Sequence, residues 1–170
     1  VFLDQGTYMA TIRVADDDMS GDFENGVVNV DYVERSLAIE ILNADPEIVP
    51  FEPHFTAEGQ SMVISGTFTD RGILDTHAAQ IDWGDGGAPE SMPINQGSGS
   101  GSFGTSHIFA DDGIYNVATT FMDTDGGQST THFTVAVSNM LPTLSVVEDQ
   151  TVTMKEPLEI PDLGTFTDPG

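Results

Sequence analysis

Apolar and polar residues alternate along most of this chain, and the alternation predicts strands. Within residues 60–68 (QSMVISGTF), Met62, Ile64 and Phe68 share one face of a period-two segment. Ala79, Ile81 and Trp83 do the same before a Gly/Asp turn, as do Tyr115, Val117, Thr119 and Phe121, and then Phe133, Val135 and Val137. Tyr8, Ala10, Ile12 and Val14 form a similar face near the start. No window keeps apolar residues at helical spacing between a cap and a stop, and Pro142, Pro161 and Pro169 break the remainder. Short alternating strands between Gly/Asp turns predict an all-β sandwich. Residues 97–102 (GSGSGS) are expected to be a mobile loop, because glycine in a strand interior is costly in entropy.

The pattern repeats. Phe2, Asp4, Gly6, Tyr8, Asp16 and Asp18 recur at one offset as Phe109, Asp111, Gly113, Tyr115, Asp123 and Asp125. GTFTDRG at 66–72 returns as GTFTDPG at 164–170, and NADPEI at 43–48 is answered by NMLPTL at 139–144. The offset shrinks after Asp18, so the first copy carries extra residues, which we place in MSGDFENG at 19–26. The expected organisation is a tandem array of immunoglobulin-like size. Residues 1–43 form the C-terminal half of one unit, 44–139 a complete unit, and 140–170 the N-terminal part of a third. Val1 is not a natural start, so the sequence reads as a piece of a longer chain whose end units are completed by the same polypeptide or by a neighbouring copy.

Charge narrows the partners. Among 170 residues, 28 Asp and Glu face 4 Lys and Arg, a formal net charge of -24. Such a surface repels phosphate backbones and anionic headgroups, which excludes nucleic-acid binding and membrane-surface binding. No apolar run is long enough to span a bilayer, so no membrane insertion is expected. Arg13, Arg35, Arg71 and Lys155 cannot neutralise the acids by pairing, so salt or divalent cations must screen them. The absence of cysteine removes disulfides and thiolate metal sites, which leaves bound metal as the usual staple of a small secreted domain.

Some of the acids stand where a cation could use them. FTDRGILD puts Asp70 and Asp75 on one loop, and MDTDGG puts Asp123 and Asp125 at a strand end. Glycines beside carboxylates let the backbone fold round an ion and offer carbonyls, which suits the six to eight oxygen ligands of Ca2+. The competing reading is that Asp is common in turns because it makes Asx hydrogen bonds. Asp85, in the WGDGG turn, is expected to cap that turn, with Gly84 and Gly86 at positive φ. Trp83 falls at the inward phase of its strand and is expected in the core, the alternative being a platform for a sugar ring. His54, His77, His107 and His132 show no metalloprotease spacing, His77 following Asp75 closely enough for a structural hydrogen bond only. No G-x-S-x-G elbow occurs, and no catalytic residue is assigned.

IDWGDGG at 81–87 followed by HIFADDGIYNVATTFMDTDGG at 107–127 resembles the PKD (polycystic-kidney-disease) repeat. That family carries a WDFGDG-like turn, an H-x-[FY]-x-x-x-G-x-Y segment and a closing V-x-D-x-x-G strand end. Asp82, Trp83, Gly84, Asp85 and Gly86 give the turn with its aromatic and acid order altered, while His107, Phe109, Gly113 and Tyr115 match the second segment. The resemblance implies a seven-stranded extracellular sandwich used as a spacer or adhesive module. It also implies calcium ligands from the interdomain linker, the loop after the second strand and the D-x-x-G strand end. By position these are Asn43, Asp70, Asp75 and Asp123 with Asp125 adjacent. The next junction would use Asn139 and Asp168, and the first unit Asp16 and Asp18.

The expected function is therefore structural rather than enzymatic. The chain reads as an adhesive spacer of a long extracellular or cell-surface repeat protein, stiffened by Ca2+ at its junctions and able to build a fibre. Its partners would be neighbouring repeats of the same or an identical chain and a surface glycan or protein ligand. Two other readings compete: an accessory carbohydrate- or protein-binding module of a secreted hydrolase, which needs exposed aromatics, and a halophile's acidic surface without specific ions.

Overall fold

The computed structural model describes residues 2–15 and 32–170, so the expected insertion at 19–26 and the candidate ligands Asp16 and Asp18 lie outside the described residues. Thirteen strands are described. The first two, β1 (Gly6–Ala15) and β2 (Tyr32–Ile41), form an antiparallel pair with Tyr8 opposite Ile39. The central unit follows with β3 (Glu47–Ile48), β4 (His54–Ala57), β5 (Ser61–Thr69), β6 (His77–Asp82), β7 (Glu90–Met92), β8 (Ile94–Gly97), β9 (Ser100–Ile108), β10 (Gly113–Asp123) and β11 (Gln128–Ser138). Strands β12 (Thr143–Val146) and β13 (Gly164–Thr167) make a last antiparallel pair.

The central strands form two sheets, one ordered β4-β11-β10-β6-β7 and the other β3-β5-β9-β8. The inward faces are those the alternation predicts. Met62, Ile64, Ile81, Trp83, Phe109, Val117, Phe133, Val135 and Val137 pack as one cluster. Phe68, Ala79, Met92, Phe103 and Phe121 form a second, and Phe51 touches both. The nine central strands exceed the seven implied by the family resemblance. Pro50 and Pro53 interrupt the first strand, so its halves β3 and β4 join opposite sheets, and β7 adds a short edge beside β6.

The GSGSGS stretch is a correction to the sequence reading. Its residues close the hairpin between β8 and β9, with Gly99 at φ 68 in the turn and Gly101 paired to Phe68. A β-carbon on Gly101 would come within 2.5 Å of the Phe68 ring, so glycine is required where that large core residue crosses the facing strand. Packing outweighs the backbone entropy on which the loop expectation rested.

Trp83 is only 3% exposed. His107 stacks on it at 4.5 Å and Phe109 meets it edge-on, so the ring is a core residue and offers no face to a sugar. Asp85 caps its turn as expected: Oδ1 accepts from the Gly87 N–H at 2.9 Å, Oδ2 pairs with His107 Nε2 at 2.8 Å, and Gly84 and Gly86 take positive φ. The Gly87 hydrogen bond, helped by His107 and opposed by burial, holds the Asp85 carboxyl below the ordinary range.

The repeat is visible in the hydrogen-bond registers. Gly6 pairs with Ile41 and Tyr8 with Ile39, while their counterparts pair as Gly113 with Val137 and Tyr115 with Val135. Leu144 opposite Phe166 likewise repeats Ile48 opposite Phe68. The tyrosines share a corner as well, the Tyr8 hydroxyl donating to the Asp4 carbonyl at 3.0 Å and the Tyr115 hydroxyl to the Asp111 carbonyl at 2.9 Å. Burial separates the copies: Phe121 is 0% exposed and its counterpart Val14 is 64% exposed.

Candidate metal centre

The loops that leave β5 and β10 meet at one pole of the sandwich, where the 42–46 segment enters. Asp70 follows β5 directly. Its N–H donates to the Gly99 carbonyl at 2.9 Å, and its Oδ1 accepts from the Gly72 N–H at 2.8 Å, an Asx turn that folds the loop back. Oδ2 lies 2.8 Å from His77 Nε2, with both side chains fully enclosed. The sequence reading set His77 beside Asp75; its partner is Asp70, on the far side of the loop.

Asp123 closes β10. Its Oδ1 accepts from the N–H groups of Asp125 at 2.9 Å and Gly127 at 2.8 Å, and its Oδ2 accepts from the Asn43 amide at 2.8 Å. Burial opposes its ionisation, but the hydrogen bonds from Asn43, Gly127, Asp125 and Gly126 outweigh this and hold the carboxyl below the usual range. Asp123 is thus fixed as an anion.

Asp75 is the opposite case. It is 5% exposed, and its Oδ2 has no hydrogen-bond partner. Gly72 leaves room for it, since a β-carbon there would stand 2.0 Å from Oδ2. Burial first, then contact with the Asp125 carboxyl and the charges of Asp125, Asp4 and Asp70, pushes its pKa up to about 6. Two carboxylate triples meet at this residue: Asp70, Asp75 and Asp123, and Asp4, Asp75 and Asp125, with one oxygen per residue inside 4.8 Å of the others in each.

The structure therefore brings together Asp70, Asp75, Asp123 and Asp125, with Asn43 bonded to Asp123. It adds Asp4, which the sequence reading missed because this carboxylate comes from the preceding repeat and no local motif marks it. Gln5 beside it has a buried Oε1 without a partner. A cleft of about 230 Å³, lined by Phe2, Asp4, Asn43, Arg71 and Gly72 among others, opens at this junction. Asn139 and Asp168 join no carboxylate triple among the described residues. Asn139 donates its amide to the Met140 carbonyl at 3.2 Å, and Asp168 accepts from the Gly170 N–H at 3.4 Å, a looser version of the Asp70–Gly72 turn.

These donors are all hard oxygens, they carry more negative charge than the nearby cations answer, and one of them is buried with an unused oxygen. That set suits a calcium-class cation and excludes the nitrogen and sulfur coordination of structural zinc.

Two antiparallel sheets face to face, with a parallel β4–β11 edge and a tyrosine corner, define an immunoglobulin-like sandwich in tandem with related strand pairs. The family model for the PKD domain matches residues 43–137, more than half the chain, and the chain belongs to that family. Modules of this family are typically extracellular and non-catalytic. Among solved structures, the titin Ig tandem domains A164-A165 are similar over 79% of this chain at 15% identity and a TM-score of 0.37. The chain spans 62% of the length of that structure. No curated protein matches it.

Proposed function

We propose that this chain is a spacer segment of a long extracellular repeat protein, in which Ca2+ held at the junctions turns a flexible tether into a stiff rod. The observation that carries the reading is the buried Asp75, which has an unpartnered Oδ2 and belongs to two carboxylate triples, one of which includes Asp4 from the preceding repeat. An ion there draws on donors from both sides of the linker, so its binding energy acts on the angle between units. With extracellular-type affinities of ~10⁻⁴–10⁻³ M and Ca2+ near 1 mM, one site contributes about 0.4–1.4 kcal/mol. That is small for a domain and large for a linker. Among the described residues no helix is long and apolar enough to cross a membrane, which agrees with a module carried outside the bilayer. The accessory-module alternative draws no support from Trp83, whose ring is buried.

Calorimetric titration of the metal-free chain tests the reading. Saturable Ca2+ binding, weakened by Asp70→Asn, is expected. Absent binding, or binding matched equally by Mg2+ and Na+, overturns it in favour of general screening of an acidic surface.

A further inference from the structure

A second carboxylate cluster occupies the opposite pole. Glu58 lies in the turn after β4, its N–H bonded to the Ser138 carbonyl at 3.1 Å, while the N–H of Gly59 reaches the Phe109 carbonyl at 2.9 Å. It is the most buried acid described, at 1% exposure. Oε1 accepts from the Met140 N–H at 2.7 Å, and Oε2 has no partner. Asp111 and Asp112, both exposed, complete a triple with Glu58 whose ligand oxygens lie within 4.8 Å of one another. Their loop is held by the Tyr115 hydroxyl on the Asp111 carbonyl and by the Asp112 N–H on Asp111 Oδ1 at 2.9 Å.

We propose that Glu58, Asp111 and Asp112 form a second divalent-cation site, taking Ca2+ at the junction between the central unit and the segment that follows. A carboxyl group sealed from water with one oxygen unused, beside two more carboxylates, is costly unless a partner answers that oxygen. The repeat supplies an independent reason. Asp111–Asp112 are the counterparts of Asp4–Gln5, and Asp4 belongs to a triple at the other pole. The same tyrosine-corner loop therefore presents oxygens toward the next unit in both copies. The GTFTDPG segment, counterpart of the one bearing Asp70, ends against this turn, with Pro169 at Gly59 and Gly170 at Glu58. By the rise of the eleven-residue strand β10, the two poles lie roughly 35 Å apart, so the sites load independently.

Equilibrium dialysis of the full chain against Ca2+, with far-UV circular dichroism to confirm folding, tests this. Glu58→Gln and the paired exposed substitutions Asp111→Asn with Asp112→Asn should each remove one equivalent of bound Ca2+. Each should leave intact the equivalent that Asp70→Asn removes. Asp111→Asn keeps the Oδ1 acceptor of its turn, so the paired variant carries the test if Glu58→Gln does not fold. Unchanged stoichiometry in the folded paired variant, or full displacement of that equivalent by Mg2+, would overturn the proposal. Ca2+ binding that Asp70→Asn leaves unchanged but the paired variant reduces would overturn the junction proposed above while leaving this one standing.

Discussion

Replacing Asp75 by Asn removes the one carboxylate common to both triples at the first junction and keeps its shape. A carboxyl raised from 3.8 to about 6 in the folded chain destabilises the fold wherever it is ionised. The folded state holds the Asp75 proton more tightly than the unfolded chain does. This contribution to stability is full below about pH 4 and is lost as pH rises through 6. The shift of about two units corresponds to about 3 kcal/mol, roughly half of it falling between pH 5 and pH 7.5. In chelator at pH 7.5, Asp75→Asn should therefore be the more stable protein by up to about 3 kcal/mol, with an advantage that narrows toward pH 5. In millimolar Ca2+ the order should close or reverse, because the ion pairs the wild-type carboxylate and finds a poorer ligand in the amide. Urea unfolding at several pH values, with and without Ca2+, measures both effects. Taking the difference between the two proteins cancels the histidines and the overall charge, which they share. An Asp75→Asn chain no more stable than wild type in chelator at pH 7.5 would refute the account of Asp75 as an ionised group awaiting a cation.

Two substitutions test the scaffold. Trp83→Ala should cost about 3–5 kcal/mol in chemical unfolding, since a fully packed aromatic leaves a large cavity between His107 and Phe109; an unchanged midpoint would refute its core placement. Gly101→Ala should cost about 1–3 kcal/mol, because the added carbon meets both the Phe68 ring and the Asn95 carbonyl. A neutral result would mean that the hairpin has room and that its glycines serve something other than packing.

The strands were legible because alternation is a local signal: Met62, Ile64 and Phe68 show their buried face in nine residues of sequence. The tandem register was legible for a related reason, as each strand of a pair recurs at an offset constant along its own length, which preserves the pairing. What escaped was set by distant contacts. GSGSGS reads as a linker until Phe68, on the neighbouring strand, is laid across Gly101. Asp70 and Asp123 stand out by their glycines, but Asp4 reaches the same site from another unit, and His77 finds Asp70 only after the loop folds back. Glu58 looks like any surface acid in AEGQ. Its burial depends on Ser138 and Met140, some eighty residues further along the chain.

The parallel pairing of β4 with β11 has a mechanical meaning. His54 lies beside Val135 and Ala57 beside Ser138, the two strands running the same way, so the chain enters the unit through the 42–46 segment at one pole and leaves β11 at the other. Tension drawn through the linkers slides these strands along each other instead of peeling them apart. The backbone hydrogen bonds between them lie across the pull and must give way together. A module tethered in this way resists extension as a clamp does, up to a threshold and then all at once, while an antiparallel hairpin pulled from its open end would yield one bond at a time.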